Sequence, residues 1–159
     1  MEHLHSPVSA GEPLNREVVE QFKRNFNLMV RDGYGQTEST LLIGFLKGTK
    51  PRPGSMGKGI PGSFVTIIDD DGNEVKANVK GNIAVPLDLP VLFRGYYKDK
   101  ARTNAASAGN YYVTGDLAHQ DEDGYFWFEG RCDDIIISSG YTIRSFEVED
   151  ALTNHPAVK

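Results

Sequence analysis

VSAGEPLNREVVEQFKRNFNLMVRDGYGQTE, residues 8–38, is the stretch whose reading decides the fold. Val8-Ser9-Ala10 is a short strand that stops at Gly11. Asn15 is a suitable helix N-cap, and Val18, Val19, Phe22 and Phe26 then recur at the spacing of one helix face. Leu28-Met29-Val30 resumes a strand that ends at Asp32-Gly33. A strand-helix-strand unit of this kind belongs to an α/β layer, with its loops at the carboxyl ends of the strands.

Downstream the composition changes. KPRPGSMGKGIPG, residues 50–62, holds three prolines and four glycines in thirteen residues, too many for a helix. Gly57 to Gly62 satisfies the letters G-x-G-x-x-G, but a proline-rich loop precedes it and a β-branched run follows. A dinucleotide motif needs a strand before it and a helix after it, so this segment reads as a backbone-bending loop. Phe64 to Ile68 predicts a strand. Asp69 to Asn73 predicts a hairpin turn rather than a calcium loop, since the closing glutamate is absent. Gly81 to Val85, Tyr111 to Val113, Leu117 to His119 and Tyr125 to Phe128 complete a small antiparallel unit. Ile135 to Ile137 is a buried strand, Ser138 to Gly140 a turn, and Glu147 to Asn154 helical, with Phe146, Val148, Ala151 and Leu152 on its apolar side. The expected class is mixed α+β: residues 1–50 end an α/β subdomain, 51–131 form a small β-rich subdomain, and 132–159 begin a small α+β C-terminal domain. The chain stops just as a new apolar segment begins at Ala157-Val158, which predicts a longer parent chain.

Composition removes several function classes. The 159 residues carry 22 acidic and 17 basic side chains, for a net charge of −5 and no basic stripe, which argues against nucleic-acid binding. No apolar run approaches the roughly 18 residues of a membrane span. The N-terminus has no signal-peptide pattern. Cys132 stands alone, so no intramolecular disulfide forms, and His3, His5, His119 and His155 lack zinc-site spacing. One cysteine and no signal fit a reducing interior, the cytoplasm or, in a eukaryote, the mitochondrial matrix. Neither a G-x-x-x-x-G-K-[ST] phosphate loop nor a G-x-S-x-G nucleophile elbow occurs.

Four polar clusters fall at the ends of expected strands: Gly11-Glu12-Pro13, Tyr34-Gly35-Gln36-Thr37-Glu38, Thr114-Gly115-Asp116 and Gly130-Arg131-Cys132-Asp133-Asp134. Each alone reads as a turn, cap, hairpin corner or surface ion pair. Together and in this order they resemble the adenylate-forming superfamily of acyl-CoA synthetases, luciferases and peptide-synthetase adenylation domains. The resemblance runs from about Ser9 to Val158. Gly11-Glu12-Pro13-Leu14 and Asn154-His155-Pro156-Ala157-Val158 are most similar to the acetyl- and medium-chain acyl-CoA synthetase branch.

The resemblance implies a ligase that uses ATP and Mg²⁺ to turn a small carboxylic acid into acyl-AMP, then passes the acyl group to coenzyme A. Gly11, Glu12 and Pro13 would frame the adenine, and Asp32, Gly33, Tyr34, Gly35 and Gln36 would continue that wall, with Tyr34 stacking on the purine. Thr37 would hydrogen-bond the α-phosphate and Glu38 would hold the Mg²⁺, these two counting as catalytic. Asp116, an acceptor when ionised, suits the ribose hydroxyls, and Arg131 would reach ribose or phosphate. Asp133 falls at the family's domain hinge. Ser139 and Gly140 match the loop beside the coenzyme A tunnel.

Two departures from the family pattern stand out. Thr142 replaces an arginine expected near the phosphates, and Ser145 replaces a proline. The family's Ser/Thr/Gly-rich phosphate loop would lie upstream of residue 1 and its catalytic lysine downstream of Lys159, so turnover is expected of the parent chain and not of these residues alone. The alternatives are a non-catalytic AMP- or ATP-binding fragment of a degenerate relative, an adenylation domain serving a carrier protein, and a β-sandwich interaction module built from residues 51–129.

Overall fold

The computed structural model describes residues 4–12, 14, 16–138, 141–144, 148, 149, 151, 152, 155, 157 and 158. In chain order the elements are β1 (Val8–Ala10), α1 (Arg16–Phe26), β2 (Arg31–Gln36), β3 (Thr40–Gly44), β4 (Gly57–Gly59), β5 (Thr66–Ile68) and β6 (Gly81–Pro86). They continue with α2 (Lys100–Ala105), β7 (Ser107–Ala108), β8 (Tyr111–Gln120), β9 (Tyr125–Arg131), β10 (Ile135–Ser138) and β11 (Tyr141–Arg144). The expected mixed α+β class is observed. Its main sheet runs β1-β2-β3-β4-β9-β8-β6-β5, with β7 added to β8, while β10 and β11 form a separate hairpin. Among the described residues only β1 and β2 pair in parallel, joined by α1. The first sheet element, β1, ends the strand order, and its Val8 is 68% exposed.

Helix α1 buries Val19 and carries Glu17 in its first turn and Lys23 and Arg24 in its last, charges that suit the helix dipole. The following strand begins three residues later than the apolar run Leu28 to Val30 predicts. Pairing starts only at Arg31, whose N–H donates to the Pro7 carbonyl at 3.1 Å. Nor does Asp32-Gly33 end it. The Asp32 carboxylate accepts the Gly33 N–H at 2.8 Å, and the strand continues to Gln36. A turn over Thr37 to Ser39 then reverses the chain into β3, with the Ser39 N–H donating to the Gln36 carbonyl at 3.0 Å. Gly35 makes this reversal feasible, because a Cβ there would sit 1.9 Å from the Thr40 carbonyl oxygen.

The expected loop at Gly57 to Gly62 contains a strand. β4 pairs with β3 on one side and β9 on the other, so strands on both sides of residue 50 share one sheet. Gly57 sits at φ +101°, and a Cβ would lie 2.4 Å from the Gly44 carbonyl carbon, so only glycine brings these backbones together. The strand expected over Phe64 to Ile68 is reduced to Thr66–Ile68, since Phe64 has φ +48° and is 72% exposed. The Asp69 turn forms, its Oδ1 accepting the N–H groups of Asp71 and Asn73 at 3.0 and 2.8 Å. In β8 the two expected short strands merge into one of ten residues. Side chains alternate along it, and Tyr112, Thr114, Asp116 and Ala118 face inward.

The core lies where β3, β5, β6, β8 and β9 meet. Leu42, Ile43, Ile83, Val85 and Phe126 are fully buried there, with Met56, Ile67 and Leu89 around them. The β8–β9 hairpin is locked from outside. Asp121 accepts the Tyr125 N–H, the Trp127 indole N–H and the Arg52 guanidinium at 2.9, 3.1 and 2.7 Å, and Arg52 lies 4.4 Å from the Tyr125 ring centre. Of the helix expected over residues 147–154, Val148, Glu149, Ala151 and Leu152 are helical, and the rest falls outside the described residues.

Candidate functional site

A cavity of about 470 Å³ opens where the end of β1, strand β2, the middle of β8 and the end of β9 come together. Its lining includes Gly11, Glu12, Asp32, Gly33, Tyr34, Gly35, Gln36, Asp116 and Arg131, nine of the residues expected from sequence. Leu14, Met56 and Phe128, which sequence reasoning did not assign to the site, add an apolar side. Pro13, Ser139 and Gly140 lie outside the described residues. Thr37 and Glu38 sit in the β2–β3 turn and are not part of this lining.

Asp116 organises the polar side. Its cluster does not sit at a strand end, as expected, but in the middle of β8, where the inward face presents the carboxylate to the cavity. Only 6% of Asp116 is exposed, and three donors meet it. The Tyr34 hydroxyl and Gln36 Nε2 donate to Oδ2 at 2.6 and 2.8 Å, and Arg131 Nη1 donates to Oδ1 at 3.1 Å. Gln36 is itself fixed: its Nε2 also donates to the Thr114 carbonyl at 2.9 Å, and its Oε1 accepts the Tyr112 hydroxyl at 2.9 Å. Tyr112 escaped sequence reasoning. The two-residue alternation through Thr114 and Asp116 is the signal that finds it, once β8 is taken as one strand.

Arg131 forks. Besides Asp116, its Nε and Nη2 donate to the two oxygens of Asp133 at 2.8 and 3.1 Å. This pairing holds the Asp133 carboxyl below its ordinary pKa and raises that of the guanidinium. Burial pushes the Tyr34 hydroxyl well up, helped by the Asp116 charge, so Tyr34 stays a donor. Burial likewise raises Asp32 against the opposing backbone N–H bonds from Gly33 and Leu14.

These groups define what the cavity can bind. Gly11, the Gly33–Gly35 segment and Tyr34 form one wall of the cavity. Asp116, with two carboxylate oxygens, keeps acceptor capacity for a vicinal diol, and Arg131 offers donors to an anion. Outside this lining, in the β2–β3 turn, Glu38 is half-buried and its Oε1 accepts the Tyr96 hydroxyl at 3.0 Å. Among the described residues no group of three His, Cys, Asp or Glu side chains could hold a metal ion. A lone, oriented carboxylate of this kind fits Mg²⁺, which takes its remaining oxygens from water and phosphate.

The sequence pattern of the AMP-binding enzymes matches residues 1–97. The chain is 62% identical over 156 residues to an uncharacterized acyl–CoA ligase of Bacillus subtilis, covering 98% of this chain and 30% of that protein. It is 49% identical over 154 residues to the mitochondrial acyl-coenzyme A synthetase ACSM3 of Rattus norvegicus, covering 95% of this chain and 27% of that one. Among solved structures, the anthranilate CoA ligase AuaEII in complex with anthranoyl-AMP superposes with a TM-score of 0.83 at 32% identity, over 96% of this chain and 29% of its own. The chain thus spans less than a third of the length of each.

Proposed function

We propose, from the premise that this chain belongs to the AMP-binding enzyme family, that it forms the nucleotide half-site of an AMP-forming acyl-CoA synthetase. The observation that carries this reading is the buried Asp116 carboxylate, held on one side by Tyr34 and Gln36 and on the other by Arg131, in a cavity of about 470 Å³. Adenine lies against Gly11, Glu12, Pro13 and the Asp32–Gln36 strand, with its face on Tyr34. The ribose hydroxyls donate to Asp116, and Arg131 reaches the ribose or α-phosphate. Thr37, in the turn after β2, donates to that phosphate.

The chemistry is a two-step transfer. The substrate carboxylate attacks the α-phosphorus of ATP, forming acyl-AMP as pyrophosphate leaves. The thiol of coenzyme A then attacks the acyl carbon, giving the thioester and AMP. Pre-set donors and geometry do most of the work in such transfers. Mg²⁺ on Glu38 would neutralise phosphate charge. Between the steps, the segment after Arg131 turns about Asp133, and Ser139 and Gly140 line the path of coenzyme A. In this reading residues 1–50 close the nucleotide-binding subdomain, 51–131 form its β-rich neighbour, and 132–159 open the moving domain. The rest of the parent chain supplies the phosphate loop, the lysine and most of the pocket for a small carboxylic acid. Among the described residues no helix is long and apolar enough to cross a membrane. Separately, we place the enzyme in the cytoplasm or, in a eukaryote, in the mitochondrial matrix, and one relative is named as a mitochondrial protein.

Calorimetric titration with AMP, beside an Asp116→Ala control, tests the half-site. Saturable binding that disappears in the control supports the assignment. Equal binding by both proteins refutes it. Pyrophosphate exchange and acyl-CoA formation in the full-length gene product then test the reaction, with Asp116→Ala expected to weaken nucleotide use.

A further inference from the structure

We infer that Tyr96 is a positioning residue that orients the Glu38 carboxylate toward a phosphate-bound divalent cation, an inference that rests on the assignment of Glu38 above. The loop containing Tyr96 holds Glu38 at both ends. The Phe93 N–H donates to the Glu38 backbone carbonyl at 2.6 Å, and the Tyr96 hydroxyl donates to Glu38 Oε1 at 3.0 Å. A glutamate side chain otherwise rotates about its last bond, so one donor fixed on Oε1 decides how the other oxygen is presented.

Tyr96 can do this because it is itself pinned. Its N–H donates to Thr103 Oγ1 at 2.9 Å, and the Thr103 hydroxyl donates to the Asp99 carbonyl at 2.8 Å. Asp99 caps α2, accepting the Arg102 N–H at 2.9 Å. The Arg102 guanidinium lies 3.9 Å from the centre of the Tyr96 ring. Phe93 packs edge-on against both Tyr96 and Tyr112, with ring centres 4.9 and 5.4 Å apart. Packing, cap and cation therefore converge on one phenol whose hydroxyl faces one carboxylate. The arrangement is the outer support that metal-binding carboxylates use, and loss of such a support weakens metal affinity roughly tenfold or more.

The test compares ATP affinity with Mg²⁺ and with EDTA, by calorimetry on the full-length protein, for wild type, Tyr96→Phe, Glu38→Gln and Tyr111→Phe. Tyr111→Phe breaks a similar bond, Tyr111 to Glu74 at 2.9 Å, on the exposed surface. The expected result is that Tyr96→Phe removes roughly tenfold of the Mg²⁺-dependent tightening. AMP affinity without metal and the melting temperature stay near wild type, and Tyr111→Phe changes nothing. Full Mg²⁺ tightening in Tyr96→Phe, with loss in Glu38→Gln, overturns the role of Tyr96 alone. No change in Glu38→Gln overturns the Glu38 assignment and this inference with it. Equal weakening of AMP and Mg–ATP in Tyr96→Phe, with a lower melting temperature, reduces Tyr96 to a packing residue and also overturns the inference.

Discussion

The bond between Tyr34 and Asp116 joins β2 to β8 across 82 residues, and a double-mutant cycle measures it. The phenol donates to a carboxylate oxygen at 2.6 Å, and Asp116 is 6% exposed, so solvent screens the pair little. Hydrogen bonds to charged groups contribute about 1.5–3 kcal/mol. Gln36 Nε2 keeps its bond to the Thr114 carbonyl when the carboxylate is removed, and Arg131, whose side chain is 46% exposed, rehydrates. The loss on Asp116→Ala therefore falls mainly on the Tyr34 hydroxyl. We expect Tyr34→Phe and Asp116→Ala to destabilise individually, and the pair to show a coupling energy of about 1.5 kcal/mol. In a domain of this size that coupling corresponds to a few degrees in Tm, roughly 3–6 °C. Urea unfolding of the wild type, both single variants and the double variant supplies the four free energies. A coupling below about 0.3 kcal/mol would refute the claim that this bond holds the cavity wall.

Other expectations follow from the same geometry. Gly35→Ala forces a Cβ to within 1.9 Å of the Thr40 carbonyl oxygen, so it should open the β2–β3 turn and cost about 3 kcal/mol or more in urea unfolding. Phe126→Ala empties the centre of the core and should cost about 3–5 kcal/mol, with the m-value unchanged. Asp32 has its pKa raised by burial, so the folded state binds its proton more tightly than the unfolded chain. Its contribution to stability is fully present below the unfolded pKa, near 3.9, and is lost as pH rises through the raised folded value. Asp32→Asn should therefore raise Tm at neutral pH, with the gain vanishing in acid; a gain independent of pH would contradict this origin.

The parts of the site legible in the sequence are those encoded within a few residues. Tyr34 to Gln36, Thr114 to Asp116 and Gly130-Arg131 each carry their chemistry locally. What places them together is register between strands far apart in the chain, which no local pattern states. Tyr112 reaches Gln36 across 76 residues and Tyr96 reaches Glu38 across 58, so neither stood out before β8 and its neighbouring loop were seen. Strand limits misled for a different reason. Apolar runs mark burial, and Leu28 to Val30 is apolar, but ladder pairing begins at Arg31 in a polar, glycine-rich segment that walls the cavity. β4 is three residues long and held by close backbone approach, without side-chain alternation to announce it.

The exposed position of β1 has a practical consequence for anyone handling the isolated polypeptide. Among the described residues β1 ends the sheet, so one row of its backbone donors and acceptors lies outside the ladder, and Val8 offers an apolar side chain beside it. Two copies meeting there could extend each other's sheet, so self-association at high concentration is the expected behaviour of the polypeptide in solution. Dilute samples and a charged residue at position 8 are the natural remedies, and light scattering would monitor both.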